Sequence, residues 1–350
     1  MQYIDFIMSK QPGILFDNRF FRHAIDRQSP ENPERLRRLY QSLDAHPYRD
    51  RFQRIPARIA DFADVEAVHS RFYLDQIQRH AQSGNPYSYD KDTYLMTETM
   101  DCSLLAAGGG VQMARAIVSG EIDRGIMLAR PPGHHAEPGR GMGFCVLNNV
   151  AIVASWLRRV HGMRRILIFD FDVHHCNGTQ EIFYNTNEVL VCSFHQNDLF
   201  PFTGSTIEIG EGQGEGFTLN VPVYPQYGDV EYTYLAGRVL QALVEQFMPQ
   251  IILVSAGFDG HEDDPISKTQ VTTKWYATIT AMLRRMADET CDGRLLMVLE
   301  GGYNPKSLYA SVSAVLDALT EKSSPRVGIM QSPRAASLLA NHPAKRFWTF

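Results

Sequence analysis

The sequence predicts an α/β protein of three layers, a mainly parallel sheet covered on both faces by helices. Three observations carry that reading. From about residue 100 onward, short apolar runs alternate with amphipathic helical stretches. The apolar runs are about four to eight residues long and rich in Ile, Leu and Val, as in strands buried on both faces. Several of them end in ionisable residues, where open α/β sheets gather ligands, beyond the carboxyl ends of the strands.

The elements follow in order. The first ninety or so residues are charged and read as helical pieces. "ENPERLRRLYQSL" sets Pro33 early and Leu36, Leu39 and Leu43 at helical spacing. "DFADVEAVHSRFYLDQIQRH" reads as a helix or helix pair, and "QSGNPYSYDKDTY" as a loop. Then come the helix "CSLLAAGGGVQMARAIVSG", the strand "RGIMLA" and the helix "FCVLNNVAIVASWLRRV". The strands "RRILIFDFDV", "EVLVCSF" and "GFTLNVPV" precede a long helix, "DVEYTYLAGRVLQALVEQF". "QIILVSAGF" and "RLLMVLEGG" are strands, each followed by a helix, "TTKWYATITAMLRRMADE" and "PKSLYASVSAVLDAL". We read residues 1–322 as one catalytic domain and 323–350 as a tail that docks on it.

Composition narrows the class. The chain has 350 residues, 44% of them hydrophobic, and a net charge of −5. No run of like charge suits nucleic acid, and the clusters Arg35/Arg37/Arg38 and Arg158/Arg159/Arg164/Arg165 read as solvated helix faces. The five cysteines show no CxxC pair, which points to a reduced, cytoplasmic setting. The first residues lack signal-peptide character, and no apolar stretch approaches the ~20 residues that span a bilayer.

The strand ends collect His134, His135, Asp170, Asp172, His174, His175, His195, Asp259 and Tyr303. Burying several charges uncompensated costs several kcal/mol each. A divalent cation offsets the carboxylates and takes an imidazole lone pair. Strand alternation would point Asp170, Asp172 and His174 the same way, a half-shell that suits Zn²⁺ or Fe²⁺, with Asp259 as third ligand. The bland reading of a lone Asp-x-His is a hydrogen-bonded structural pair. The adjacent His134 and His135 are candidates for acid/base work, and Tyr303 for donation to an oxyanion. Surface histidines and an ordinary core tyrosine are the alternatives.

"RPPGHH", "GFC", "DFDVHH-x-NGTQ", "SAGFD", "DP" and "LEGGYN", in that order, resemble the zinc-dependent histone deacetylase family, with its histone deacetylase-like and acetylpolyamine amidohydrolases and acetoin-utilisation proteins. The resemblance runs from about residue 30 to about residue 320. It implies an arginase/deacetylase-like fold with a central sheet of about eight strands. It implies Asp172, His174 and Asp259 as zinc ligands, His134 and His135 as the tandem histidines, Asp170 and Asn177 as their partners, and Tyr303 as the catalytic tyrosine. It implies Gly143, Phe144 and Phe200 as walls of an acyl-lysine tunnel, Asp92 as a rim aspartate, and Ile266 at a gate where polyamine-specialised members carry Glu. It further implies structural potassium at Asp170, Asp172, His174, Ser193 and Phe194, and at Phe183, Thr186, Val189 and Phe217. Cys176 stands where the family usually has Gly, and the tail has no counterpart.

The activity so implied is removal of an acetyl or other acyl group from an N-ε-acyl-lysine of a protein or peptide. Two rivals stand beside it, a deacetylase of acetylpolyamines or other small acylated amines and a catalytically weak acyl-lysine binding module. Neither nucleic acid nor membrane is an expected partner, and a homo-oligomer is left open.

Overall fold

The computed structural model describes residues 10–24, 28–45, 47–321 and 326–350. The expected division at 322/323 and the N-terminal nine residues lie outside them. The strands are β1 (Gly13–Leu15), β2 (Gln53–Arg54), β3 (Tyr87–Ser88), β4 (Tyr94–Leu95), β5 (Arg124–Met127), β6 (Ile166–Asp170), β7 (Val189–Gln196), β8 (Thr218–Val223), β9 (Ile251–Ala256) and β10 (Leu295–Leu299). β3 and β4 form a small antiparallel hairpin. The other eight make one sheet in the order β2-β1-β5-β10-β9-β6-β7-β8, with every pairing parallel.

The helices are α1 (Glu34–Ala45), α2 (Phe62–Glu66), α3 (Arg71–Ser83), α4 (Thr99–Val118), α5 (Asn149–His161), α6 (Asn177–Phe183), α7 (Asp229–Leu235), α8 (Gln241–Phe247), α9 (Thr273–Thr290), α10 (Pro305–Thr320) and α11 (Pro333–Leu339). Polar caps start several of them: Asn148 accepts from the Ala151 amide, and Asn304, just before Pro305, accepts from the Lys306 and Ser307 amides. α7 and α8 join through a single π-helical stretch at Ala236–Leu240, so the long helix of the sequence is continuous. Gly108–Gly110 do not break α4, which is buried along most of its length.

The central strands are apolar because helices cover both faces. All of Ile166–Asp170 is buried, and each such aliphatic side chain contributes about 1.5–3 kcal/mol. Register then delivers the chemistry: Asp170 lies opposite Ser193 on one side and Ser255 on the other. β1 and β2 interrupt the region read as helical pieces. With three and two residues they are too short to show a period; β1 is a strand through its pairing with β5, and β2 through its pairing with β1. The α5 helix begins at Asn149, later than its apolar pattern suggested, because the chain turns between Met142 and Cys145 and bends at Val146–Leu147.

The tail packs on the β8 edge of the sheet. His342 Nε2 donates to the Asn220 carbonyl at 2.8 Å and Trp348 Nε1 to the Gly216 carbonyl at 2.6 Å. Arg334 lies over the ring of Tyr227.

Candidate active site

β6 ends at Asp170, so Asp172 and His174 do not lie on a strand and the alternation argument does not apply to them. A tight bend brings them together. The Asp172 amide donates to Asp170 Oδ1 at 3.0 Å, and the His174 amide to Asp172 Oδ1 at 2.9 Å. The next two strands complete the cluster. The Val173 amide donates to Asp259 Oδ1 beyond β9, and the Gly301 amide, beyond β10, to Asp172 Oδ2. Gly301 has to be glycine, because a Cβ there would sit 2.2 Å from Asp259 Oδ2.

Ligand atoms of Asp172, His174 and Asp259 all fall within 4.8 Å of one another, and all three residues are buried. His174 Nδ1 lies 3.0 Å from Asp172 Oδ1 and 3.1 Å from Asp259 Oδ2. Asp259 Oδ2 makes no hydrogen bond despite complete burial. Burial and the neighbouring Asp172 push the Asp259 carboxyl up to about 7. Two carboxylates, one imidazole and an orphaned buried oxygen fit a divalent cation. His134, Cys145 and Glu300 also converge. That set fits less well: His134 Nδ1 already meets Asp170, Glu300 Oε2 accepts the Gly133 amide, and burial pushes the Cys145 thiol well up.

The tandem histidines stand beside the first cluster. His134 Nδ1 is 3.1 Å from Asp170 Oδ2. Burial opposes its charge, but Asp172 and Asp170 outweigh burial and push it up to about 10. His135 Nδ1 is 2.8 Å from Asn177 Oδ1. Burial, with His134 and His174 nearby, holds His135 well below the ordinary imidazole range. The surroundings thus favour charge on His134 and disfavour it on His135. Tyr303 follows the Gly301-Gly302 turn, and burial pushes its phenol well up, so it stays a donor.

Aromatic rings flank this cluster. Phe200 packs edge-on to His135 at 5.2 Å, and Phe144 lies 5.6 Å from the Tyr303 ring. Gly143 sits between His135 and Phe200 with φ of +54°, and a Cβ would meet His135 Cδ2 at 2.5 Å and Phe200 Cε1 at 2.8 Å. Asp92 is partly exposed, 3.8 Å from Lys91. Its neighbours Asp90 and Thr93 accept the Gly143 and Phe144 amides. Ile266 is partly buried, and its amide donates to Asp264 Oδ1.

The residues expected at potassium sites are less uniform. Ser193 Oγ is 2.9 Å from His195 Nδ1, and the Phe183 and Phe217 carbonyls accept the Thr186 and Val191 amides. Asp172 and His174 share the bend with Asp170, while Phe194 and Val189 lie on β7.

Several supporting residues escaped the sequence reading. Arg35 is buried, not solvated. It donates to the Gly302 and Glu300 carbonyls at 2.7 and 2.8 Å, and lies 4.8 Å over the Tyr303 ring. Glu31 anchors it and also takes two bonds from Arg130, both 2.6 Å. Asp264 Oδ2 accepts the Tyr303 amide at 2.7 Å. Their signal lay in "ENPER", read only as a helix start, and in "DP", read only for family resemblance. The other arginines of the two basic clusters do meet solvent, although Arg158 and Arg164 both pair with Glu188.

A buried carboxylate–imidazole cluster at the strand ends of a parallel α/β sheet, with a buried phenol and two adjacent histidines, suits a hydrolase site. Comparison narrows it. The histone deacetylase domain model matches residues 29–319. A probable deacetylase of Archaeoglobus fulgidus is 41% identical over 83% of this chain and 81% of its own. A histone deacetylase-like amidohydrolase of Pseudomonas aeruginosa is 36% identical over 83% of this chain and 76% of its own. The crystal structure of the HDA15 HD domain superposes with a TM-score of 0.89 at 33% identity, covering 97% of each chain. The chain belongs to the histone deacetylase family, and is a hydrolase acting on amide bonds with the arginase/deacetylase fold.

Proposed function

We propose that the chain removes acetyl or other acyl groups from N-ε-acyl-lysine side chains of proteins or peptides. The observation that supports it most is the placement of three convergent metal donors beside the tandem histidines, with the rings of Phe144 and Phe200 against Tyr303 and His135. Asp172, His174 and Asp259 would hold Zn²⁺ or Fe²⁺, which when bound polarises an amide carbonyl and acidifies water. His135 takes a proton from the attacking water and returns it to the leaving amine. His134, paired with Asp170, supplies fixed positive charge. Tyr303 donates to the oxyanion, a contribution worth about 10²–10³ in rate for one such donor.

A lysine stem would find apolar surface on Phe144 and Phe200. Asp92 at the rim offers an acceptor to peptide amides. Ile266 brings no charge toward a second ammonium group, whereas a carboxylate would attract one by about 1 kcal/mol at 4 Å even in water. Structural potassium at Asp170 and the β7 carbonyls belongs to the same proposal, with K⁺-dependent thermal stability as its check. The five cysteines are free and buried, and among the described residues no helix is long and apolar enough to cross a membrane. The free thiols support a reduced, cytoplasmic setting.

The deciding experiment compares kcat/KM on N-ε-acetyl-lysine peptides with that on acetylputrescine and acetylspermidine, for wild type and Ile266→Glu. Wild type should prefer peptides, and Ile266→Glu should narrow or invert the preference. A wild type that prefers acetylpolyamines would replace this reading with a small-amine deacetylase. Bound but uncleaved peptide would replace it with a binding module.

A further inference from the structure

We propose that Glu137, a residue outside the catalytic cluster, is a positioning residue that fixes the tautomer of His135 through Asn177. The inference rests on the role given above to His135 and names what makes that role available.

A primary amide has two unlike ends, an oxygen that only accepts and a nitrogen that only donates. Which end of Asn177 faces His135 decides the chemistry. Three acceptors surround Asn177 Nδ2: Glu137 Oε1 at 2.8 Å, Met142 Sδ at 3.2 Å and the His135 carbonyl at 3.4 Å. The shortest contact is to a carboxylate, and a hydrogen bond with a charged partner is about twice as strong as a neutral one. The nitrogen is held on that side, so Oδ1 faces His135 Nδ1. Nδ1 must then carry the hydrogen, and Nε2 keeps the lone pair that accepts a proton. With the amide reversed, Nδ2 would donate to Nδ1, the hydrogen would move to Nε2, and the base would be lost.

The side chain of Glu137 is free to do this because its backbone is held independently. Its amide and carbonyl pair with those of Arg140, and its carbonyl also accepts from His69 Nδ1 at 3.0 Å. Its second oxygen lies 3.4 Å from Arg140 Nη2. Replacing the side chain should therefore leave the turn in place.

The test uses the full-length, metal-loaded protein and a fluorogenic N-ε-acetyl-lysine amide, with ¹⁵N shifts of the histidine rings as a readout independent of turnover. Glu137→Met, which has no strong acceptor, should lower kcat about tenfold with KM and metal content unchanged. Glu137→Gln, whose carbonyl can accept from Asn177, should recover most of the loss. In an Asn177→Asp background Glu137→Met should cost less than twofold, because a carboxylate presents an oxygen to Nδ1 whichever way it turns. The ring shifts should report Nδ1–H for His135 in wild type and a growing Nε2–H population in Glu137→Met. An unchanged tautomer in Glu137→Met overturns the proposal, even if the amide is not a substrate. A loss of kcat that is equally large with Asn177 in place and in the Asn177→Asp background also overturns it, since that marks a structural role.

Discussion

Glu31→Gln probes the buried ion cluster beneath the candidate catalytic tyrosine. Glu31 is fully buried between two arginines. Burial raises its carboxyl, but Arg130 and then Arg35 outweigh burial and hold it at about 2 instead of the ordinary 4.5. That depression corresponds to about 3 kcal/mol of folding stability at neutral pH. Breaking a buried pair by removing one partner costs about 3–5 kcal/mol, a matching magnitude. The folded value is the lower one, so the contribution is present above about 4.5 and is lost as pH falls through about 2. Urea unfolding of wild type and Glu31→Gln should therefore differ by about 3 kcal/mol at pH 7. The gap should shrink steadily below pH 4.5. Arg35 also loses its anchor beneath the Glu300–Tyr303 turn, so kcat should fall while KM stays nearly constant. A difference under about 0.5 kcal/mol at pH 7, the ordinary range of a surface substitution, would refute the reasoning, as would a gap independent of pH.

The catalytic predictions are sharper. Tyr303→Phe should lower kcat about 10²- to 10³-fold with unfolding unchanged, as measured by steady-state kinetics and thermal melts. His135→Ala should cost about 10² or more in kcat. Gly143→Ala should lower kcat/KM at least about tenfold, since the new Cβ meets His135 and Phe200 in a left-handed backbone, and circular dichroism should show the fold intact.

Much of the architecture was legible because its signals are local. β6, β9 and β10 announce themselves as buried aliphatic runs, and the ionisable residues that end them stand out against those runs. Local density likewise singled out Asp172, His174 and Asp259, although a bend rather than strand alternation brings the first two together. β1 and β2 were not legible, because two or three residues carry no period and their strand character comes from pairing, β1 with β5 and β2 with β1. Arg35 was misread for a related reason. Its local neighbours are charged, but its carbonyl partners lie 265 and 267 residues away. Glu137 was not singled out, since only the folded chain brings it to Asn177.

Metal titration tests the central claim most directly. The protein would be stripped with a chelator, Zn²⁺ returned in sub-stoichiometric steps, and hydrolysis of an N-ε-acetyl-lysine peptide followed at each step, for wild type and Asp259→Ala. Wild-type activity should vanish on stripping and return linearly, saturating at about one ion per chain, while Asp259→Ala should neither hold the ion nor recover. Full activity in the metal-free protein would contradict the account.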